Sequence, residues 1–168
     1  MTHLAHDAAD SVLILDFGSQ YTQLIARRVR ECSVYSEILP PGTSVESIRE
    51  CRPAGLILSG GPQSVTDASA PRPAPGLWSS GVPILGICYG MHLMVQELGG
   101  RMEVHRHGRG REYGPAEIDV LPKARLFNGL SGCQPVWMSH ADRAAELPEG
   151  FEPAARSGDG VLAALQDP

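Results

Sequence analysis

The chain has 168 residues, 42% of them hydrophobic and 20% charged, which is enough apolar material for a folded domain with a proper core. A net charge of −5 and a pI near 5.6 argue against general binding to nucleic acid or membrane surfaces. Cys32, Cys51, Cys88 and Cys133 are widely spaced with no Cys-x-x-Cys pair, so neither a disulfide framework nor a zinc site is expected, and with no signal-like start or membrane-length apolar run the expected setting is the cytoplasm.

Residues 1–10 are polar and are predicted to be a disordered extension. Val12-Leu13-Ile14-Leu15 is a continuous apolar run, the pattern of a strand buried on both faces. Asp16 to Gln20 reads as a turn, after which Tyr21, Leu24, Ile25 and Val29 recur at helical spacing. Val34 to Leu39 reads as a second strand, broken by Pro40-Pro41-Gly42, and Ser44 is placed to cap a short helix through Glu50. Gly55 to Leu58 is a third buried strand ending in Ser59-Gly60-Gly61-Pro62. The stretch 70–75 is a proline-rich surface loop, and a short helix is expected near Pro75 to Ser80. Ile84-Leu85 forms a fourth strand. The following helix presents Met91, Met94, Val95 and Leu98 on one face and stops at Gly99-Gly100.

Strand and helix alternate through residue 98, which predicts an α/β fold with a doubly wound, mostly parallel, flavodoxin-like sheet flanked by helices. From residue 101 the pattern changes to shorter strands, at 102–104, 116–120, 136–138 and 160–165, as in an antiparallel extension. The basic stretch Arg101, His105, Arg106, His107, Arg109 and Arg111 reads either as a solvated loop or as a docking surface for an acidic partner.

The most informative segment is Gly86-Ile87-Cys88-Tyr89-Gly90, between an apolar strand and a helix. A strand that turns sharply into a helix around a nucleophile needs small residues on both sides, and the helix N-terminus then favours a thiolate. Cys88 is therefore the candidate nucleophile rather than a core thiol. Gly60-Gly61 sits at another strand's carboxyl end, where ligands gather in doubly wound sheets. It can bring a backbone N–H to a reacting carbonyl, forming an oxyanion hole with the N–H of Tyr89, or it can be a tight turn needing positive φ. The polar group Ser139, His140 and Asp142 ends a strand at Val136-Trp137-Met138, as a substrate-recognition loop or with Ser139 capping a helix. No Gly-x-Gly-x-x-Gly follows the first strand and no Walker A run occurs, so a dinucleotide site is excluded.

Five segments together carry a family resemblance: Ile14 to Leu24 (ILDFGSQYTQL), Leu58 to Pro62 (LSGGP), Cys88 to Met91 (CYGM), Arg111 to Gly114 (REYG) and Val136 to His140 (VWMSH). The chain resembles class I, triad-type glutamine amidotransferases, and among them the amidotransferase domain of GMP synthases, over residues 11–168. The resemblance implies that Cys88 attacks the glutamine side-chain amide and that the N–H groups of Gly61 and Tyr89 hold the oxyanion. It also implies that Gly60, His92, Ser139, His140 and Asp142 bind the glutamine. No cofactor is implied for this domain. ATP and Mg are implied for a separate synthetase domain, in cis or in trans, that uses the ammonia to convert XMP to GMP, and a homodimer is implied for the full enzyme.

Two residues depart from the family pattern: His92 stands where the family has Gln, and Ala141 where it has Gly. The family's catalytic His and Glu come from a Phe-His-Pro-Glu segment that the sequence does not reach, which leads to an expectation of little glutaminase activity for these 168 residues. The alternative expectation is a non-catalytic glutamine-binding or partner-docking subunit.

Overall fold

The computed structural model describes residues 11–104, 112–130, 132–140, 142–158 and 160–168. They fall in two compact units, residues 1–94 and 95–168. The expected extension at 1–10, most of the basic stretch (105–111) and Ala141 lie outside the described residues.

The first unit is built on a four-stranded parallel sheet in the order β2-β1-β3-β4. Its strands are β1 (Ser11–Leu15), β2 (Tyr35–Leu39), β3 (Gly55–Leu58) and β4 (Ile84–Gly86). Register aligns Ile38, Ile14, Ile57 and Leu85 in one row across all four strands. Ala26, Ile25 and Val29 of α1 (Thr22–Glu31) pack on that row. The opposite pleat, with Leu13, Leu15, Leu56 and Leu58, is also buried. Burial on both faces explains the uninterrupted apolar runs, each such side chain contributing roughly 1.5–3 kcal/mol.

Helix α1 buries Thr22 and Ala26, whereas Tyr21 and Leu24, expected on the packed face, are exposed. Two features set that face. The small Ala26 lies against the sheet, and Thr22 Oγ1 donates to Asp16 Oδ1 (2.8 Å) and to the Ser19 carbonyl (3.0 Å). Helix α2 (Val45–Cys51) begins where Ser44 was expected to cap it, the Ser47 N–H donating to Ser44 Oγ at 3.2 Å. The short helix expected near 75–80 is a single 3₁₀ turn, Leu77–Ser79. Helix α3 (Tyr89–Glu97) follows β4. It buries Tyr89, His92, Leu93 and Val95 fully while Met91 and Met94 are only half-buried, because it is covered on more than one side rather than along one stripe. The proline-rich stretch is half-buried rather than a free surface loop: Arg72 donates to the Val65 carbonyl and the Pro71 carbonyl accepts from Tyr89.

The second unit is antiparallel, as expected. One sheet has the order β10-β9-β6-β7 and a two-stranded ribbon pairs β5 with β8. The strands are β5 (Arg101–Val104), β6 (Glu112–Val120), β7 (Cys133–His140), β8 (Asp142–Glu146), β9 (Glu152–Ser157) and β10 (Leu162–Gln166). The core gathers Ile118, Met138 and Ala155, with Phe127, Ala116 and Val136 against it. Ser139 and His140 are the last residues of β7 and Asp142 opens β8, so they do not form the expected loop, and Ser139 caps no helix. On the ribbon, Arg101 bonds Glu103 and Glu146, and Arg143 bonds Glu103. Arg101 and Arg143 hold the Glu103 carboxyl below its ordinary value.

Candidate active site

The pentad is a strand-to-helix elbow. β4 ends at Gly86, Cys88 takes a left-handed φ of +51°, and α3 starts at Tyr89. A non-glycine residue in that region is held there by its surroundings at a cost of about 1–3 kcal/mol. The surroundings here are the carbonyl end of β3. Ile87 N–H donates to the Leu58 carbonyl (3.0 Å) and Gly90 N–H to the Ser59 carbonyl (3.1 Å), while His92 N–H closes the first helical turn on the Cys88 carbonyl (3.0 Å).

Each glycine of the pentad is required by space. A Cβ on Gly86 would lie 2.6 Å from the Gly90 carbonyl carbon and oxygen, and one on Gly90 would meet the Leu58 carbonyl oxygen, with Leu58 Cβ at 2.7 Å. Neither position has room for a side chain, so the chain can turn here only with glycine on both sides of Cys88.

Gly61 is a glycine for the same reason, whereas Gly60 has room for a methyl group, and neither serves a turn that needs positive φ. A Cβ on Gly61 would lie 2.7 Å from the Phe17 carbonyl oxygen and 3.2 Å from the Tyr89 ring. A Cβ on Gly60 would lie 3.6 Å from Cys88 Cβ and 3.5 Å from Ser19 Oγ. The backbone of Gly60 thus runs directly beside the Cys88 side chain.

Neighbouring side chains hold this arrangement. Ser59 Oγ accepts from the Phe17 N–H (2.9 Å) and donates to the Gly60 carbonyl (2.8 Å), fixing the β1 and β3 ends to each other. Asp16 Oδ1 accepts from the Gly18 N–H (2.9 Å) and from Thr22, which orders the 16–20 turn. Tyr89 is 1% exposed, its ring 5.4 Å from that of Phe17, and its hydroxyl donates to the Pro71 carbonyl at 2.6 Å. The residue after the nucleophile is therefore anchored at both ends of its side chain.

The first unit brings together Gly60, Gly61, Cys88 and Tyr89, with His92 one helical turn after Cys88 and 4% exposed. Ser19 and Ser59 were missed as site neighbours. Their signal is in the sequence, since Ser19 lies in the turn after the first strand and Ser59 directly follows the third. In the second unit Ser139 is exposed and lies opposite Tyr113, His140 pairs with Glu112, and Asp142 is buried opposite Val104. None of the four cysteines forms a disulfide; Cys32, Cys51 and Cys133 are exposed and Cys88 is half-buried. Among the described residues no group of three or more His, Cys, Asp or Glu side chains could hold a metal ion.

Comparison with known proteins assigns the family. Residues 13–168 match the glutamine amidotransferase class-I family model. The chain is 52% identical over 157 residues to a glutamine-hydrolysing GMP synthase of Thermobifida fusca, covering 94% of this chain and 29% of that protein. It is 53% identical over 157 residues to the corresponding protein of Thermus thermophilus, covering 94% of this chain and 30% of that one. It therefore spans about a third or less of the length of these relatives. A solved structure from Thermoplasma acidophilum, described as one subunit of GMP synthase, superimposes with a TM-score of 0.77 at 26% identity, over 93% of this chain and 77% of that one. A glutamine amidotransferase from Thermotoga maritima shares the fold, with a TM-score of 0.71 at 17% identity over 93% and 70% of the two chains. The chain belongs to the class-I glutamine amidotransferase family.

Proposed function

We propose that this chain is the glutamine-hydrolysing part of a GMP synthase. The observation that carries the reading is Cys88 at φ +51°, held between two obligatory glycines beside the Gly60 backbone. Cys88 Sγ attacks the side-chain carbonyl carbon of glutamine, and the resulting oxyanion is held by the backbone N–H groups of Gly61 and Tyr89. The C–N bond then breaks, ammonia leaves, and water cleaves the thioester to glutamate and free thiol. The N-terminus of α3 supports this role, because its field favours negative charge on the sulfur. Gly60 and His92, with Ser139, His140 and Asp142 as the family resemblance assigns them, bind the glutamine.

The ammonia is consumed by an ATP- and Mg-dependent synthetase domain that converts XMP to GMP, in the cytoplasm and within a homodimeric enzyme. The names and greater length of the relatives support a further synthetase part that makes GMP. Among the described residues no helix is long and apolar enough to cross a membrane.

The test is amination of XMP by the complete enzyme with glutamine or ammonium as donor. Cys88→Ala is expected to abolish glutamine use and preserve ammonium use. Undiminished glutamine use in that variant would overturn the reading.

A further inference from the structure

The antiparallel unit leaves one sheet face open. Along β6, Tyr113, Pro115, Glu117 and Asp119 point outward, alternating with Gly114, Ala116 and Ile118 toward the core side. Along β7 the outward set is Cys133, Pro135, Trp137 and Ser139. Register places Pro115 opposite Trp137, Glu117 opposite Pro135, and Tyr113 opposite Ser139. Trp137 is 71% exposed and Tyr113 64% exposed, at neighbouring positions of the same face.

Two aromatics and two prolines on one exposed face form the kind of patch that isolated soluble domains rarely leave uncovered, and Trp and Tyr are the residues that most often anchor interfaces. The other end of the face is charged. Glu117 and Asp119 are exposed there, opposite Pro135 and Cys133, and Arg156 lies opposite Asp119 with its guanidinium donating to the Gly160 carbonyl. Partial desolvation, then the nearby charges of Glu117 and Asp119, push the Cys133 thiol up.

We infer that the outer face of β6–β7, centred on Trp137 and Tyr113, is the docking surface for the synthetase that consumes the ammonia. The inference rests on the function proposed above. It commits to the synthetase because this chain spans only 29–30% of relatives that carry the further length. The complementary surface on that partner is apolar at the centre, with Lys or Arg facing Glu117 and Asp119.

The experiment compares wild type, Trp137→Ala and Tyr113→Ala in the complete enzyme, measuring XMP amination with glutamine and with ammonium and, separately, glutamate release. Either substitution is expected to lower glutamine-dependent amination by about tenfold or more while ammonium-dependent amination stays within about twofold. Leu126→Ala, exposed on a different segment, is expected to leave both unchanged. Glutamine-dependent amination unaffected by both aromatic substitutions overturns the inference, as does an equal loss with ammonium. A wild-type enzyme that cannot use glutamine at all overturns instead the function on which it rests.

Discussion

The two units use the same backbone chemistry to opposite ends. In the parallel unit both faces of the sheet are buried, and the glycines around Cys88 have no room for a methyl group. In the antiparallel unit β6 and β7 are buried on one face only, and Gly132, beside β7, has nothing within 4 Å of where a Cβ would be. A nucleophile held in a strained conformation needs surroundings that cannot yield, which a sheet buried on both faces supplies. A half-open sheet supplies what the first cannot, a flat exposed face with freely chosen side chains.

The sharpest way to break this comparison is to make one substitution in both places. Gly90→Ala is expected to destabilise the protein by about 3 kcal/mol, since the methyl group meets backbone that cannot move. Gly132→Ala is expected to change stability by no more than about 0.5 kcal/mol. Urea unfolding of the two variants measures both, and similar effects would remove the distinction. A smaller effect of opposite sign is expected at the elbow itself. Cys88→Gly relieves the positive φ and should stabilise the fold by about 1 kcal/mol while abolishing chemistry, whereas destabilisation would mean that the elbow stores no strain.

The smallest effect belongs to the antiparallel ribbon. Glu103 has a depressed folded-state value because Arg101 and Arg143 favour its charged form. The stabilisation is therefore fully present above the ordinary carboxylate value and is lost as pH falls through the depressed one. Glu103→Gln should lower the melting temperature slightly at neutral pH, with the difference closing as acid protonates Glu103 below the ordinary carboxylate range. A gap that persists in acid would place the effect in packing rather than charge.

The sequence disclosed the parallel unit far better than the antiparallel one, for a physical reason. Leu13-Ile14-Leu15 and Leu56-Ile57-Leu58 have no polar interruption because both of their faces are covered, so strand type and ends could be read directly. β8 (DRAAE) and β9 (EPAARS) mix charged and small residues on half-exposed strands, and both went unread. The nucleophile was legible because Gly86 and Gly90 are forced by sterics. The reason for Gly61 was not, because its obstacle is the Phe17 carbonyl, 44 positions away in the chain, and only the β1–β3 pairing brings the two together. Helix faces were misjudged where a small or hydrogen-bonded residue, Ala26 or Thr22, sat on the sheet in place of a larger apolar neighbour.

The central claim is that the elbow, and not mere exposure, makes Cys88 the reactive thiol. The chain contains its own controls in Cys32, Cys51 and Cys133, all more exposed than Cys88. The most direct measurement treats the protein with a glutamine-shaped diazoketone and locates the adduct by peptide mass spectrometry, with and without glutamine. The expected result is a single adduct on Cys88, formed first despite its partial burial and slowed by glutamine. Adducts that appear first on Cys32, Cys51 or Cys133, or labelling of Cys88 that glutamine does not slow, would contradict the account.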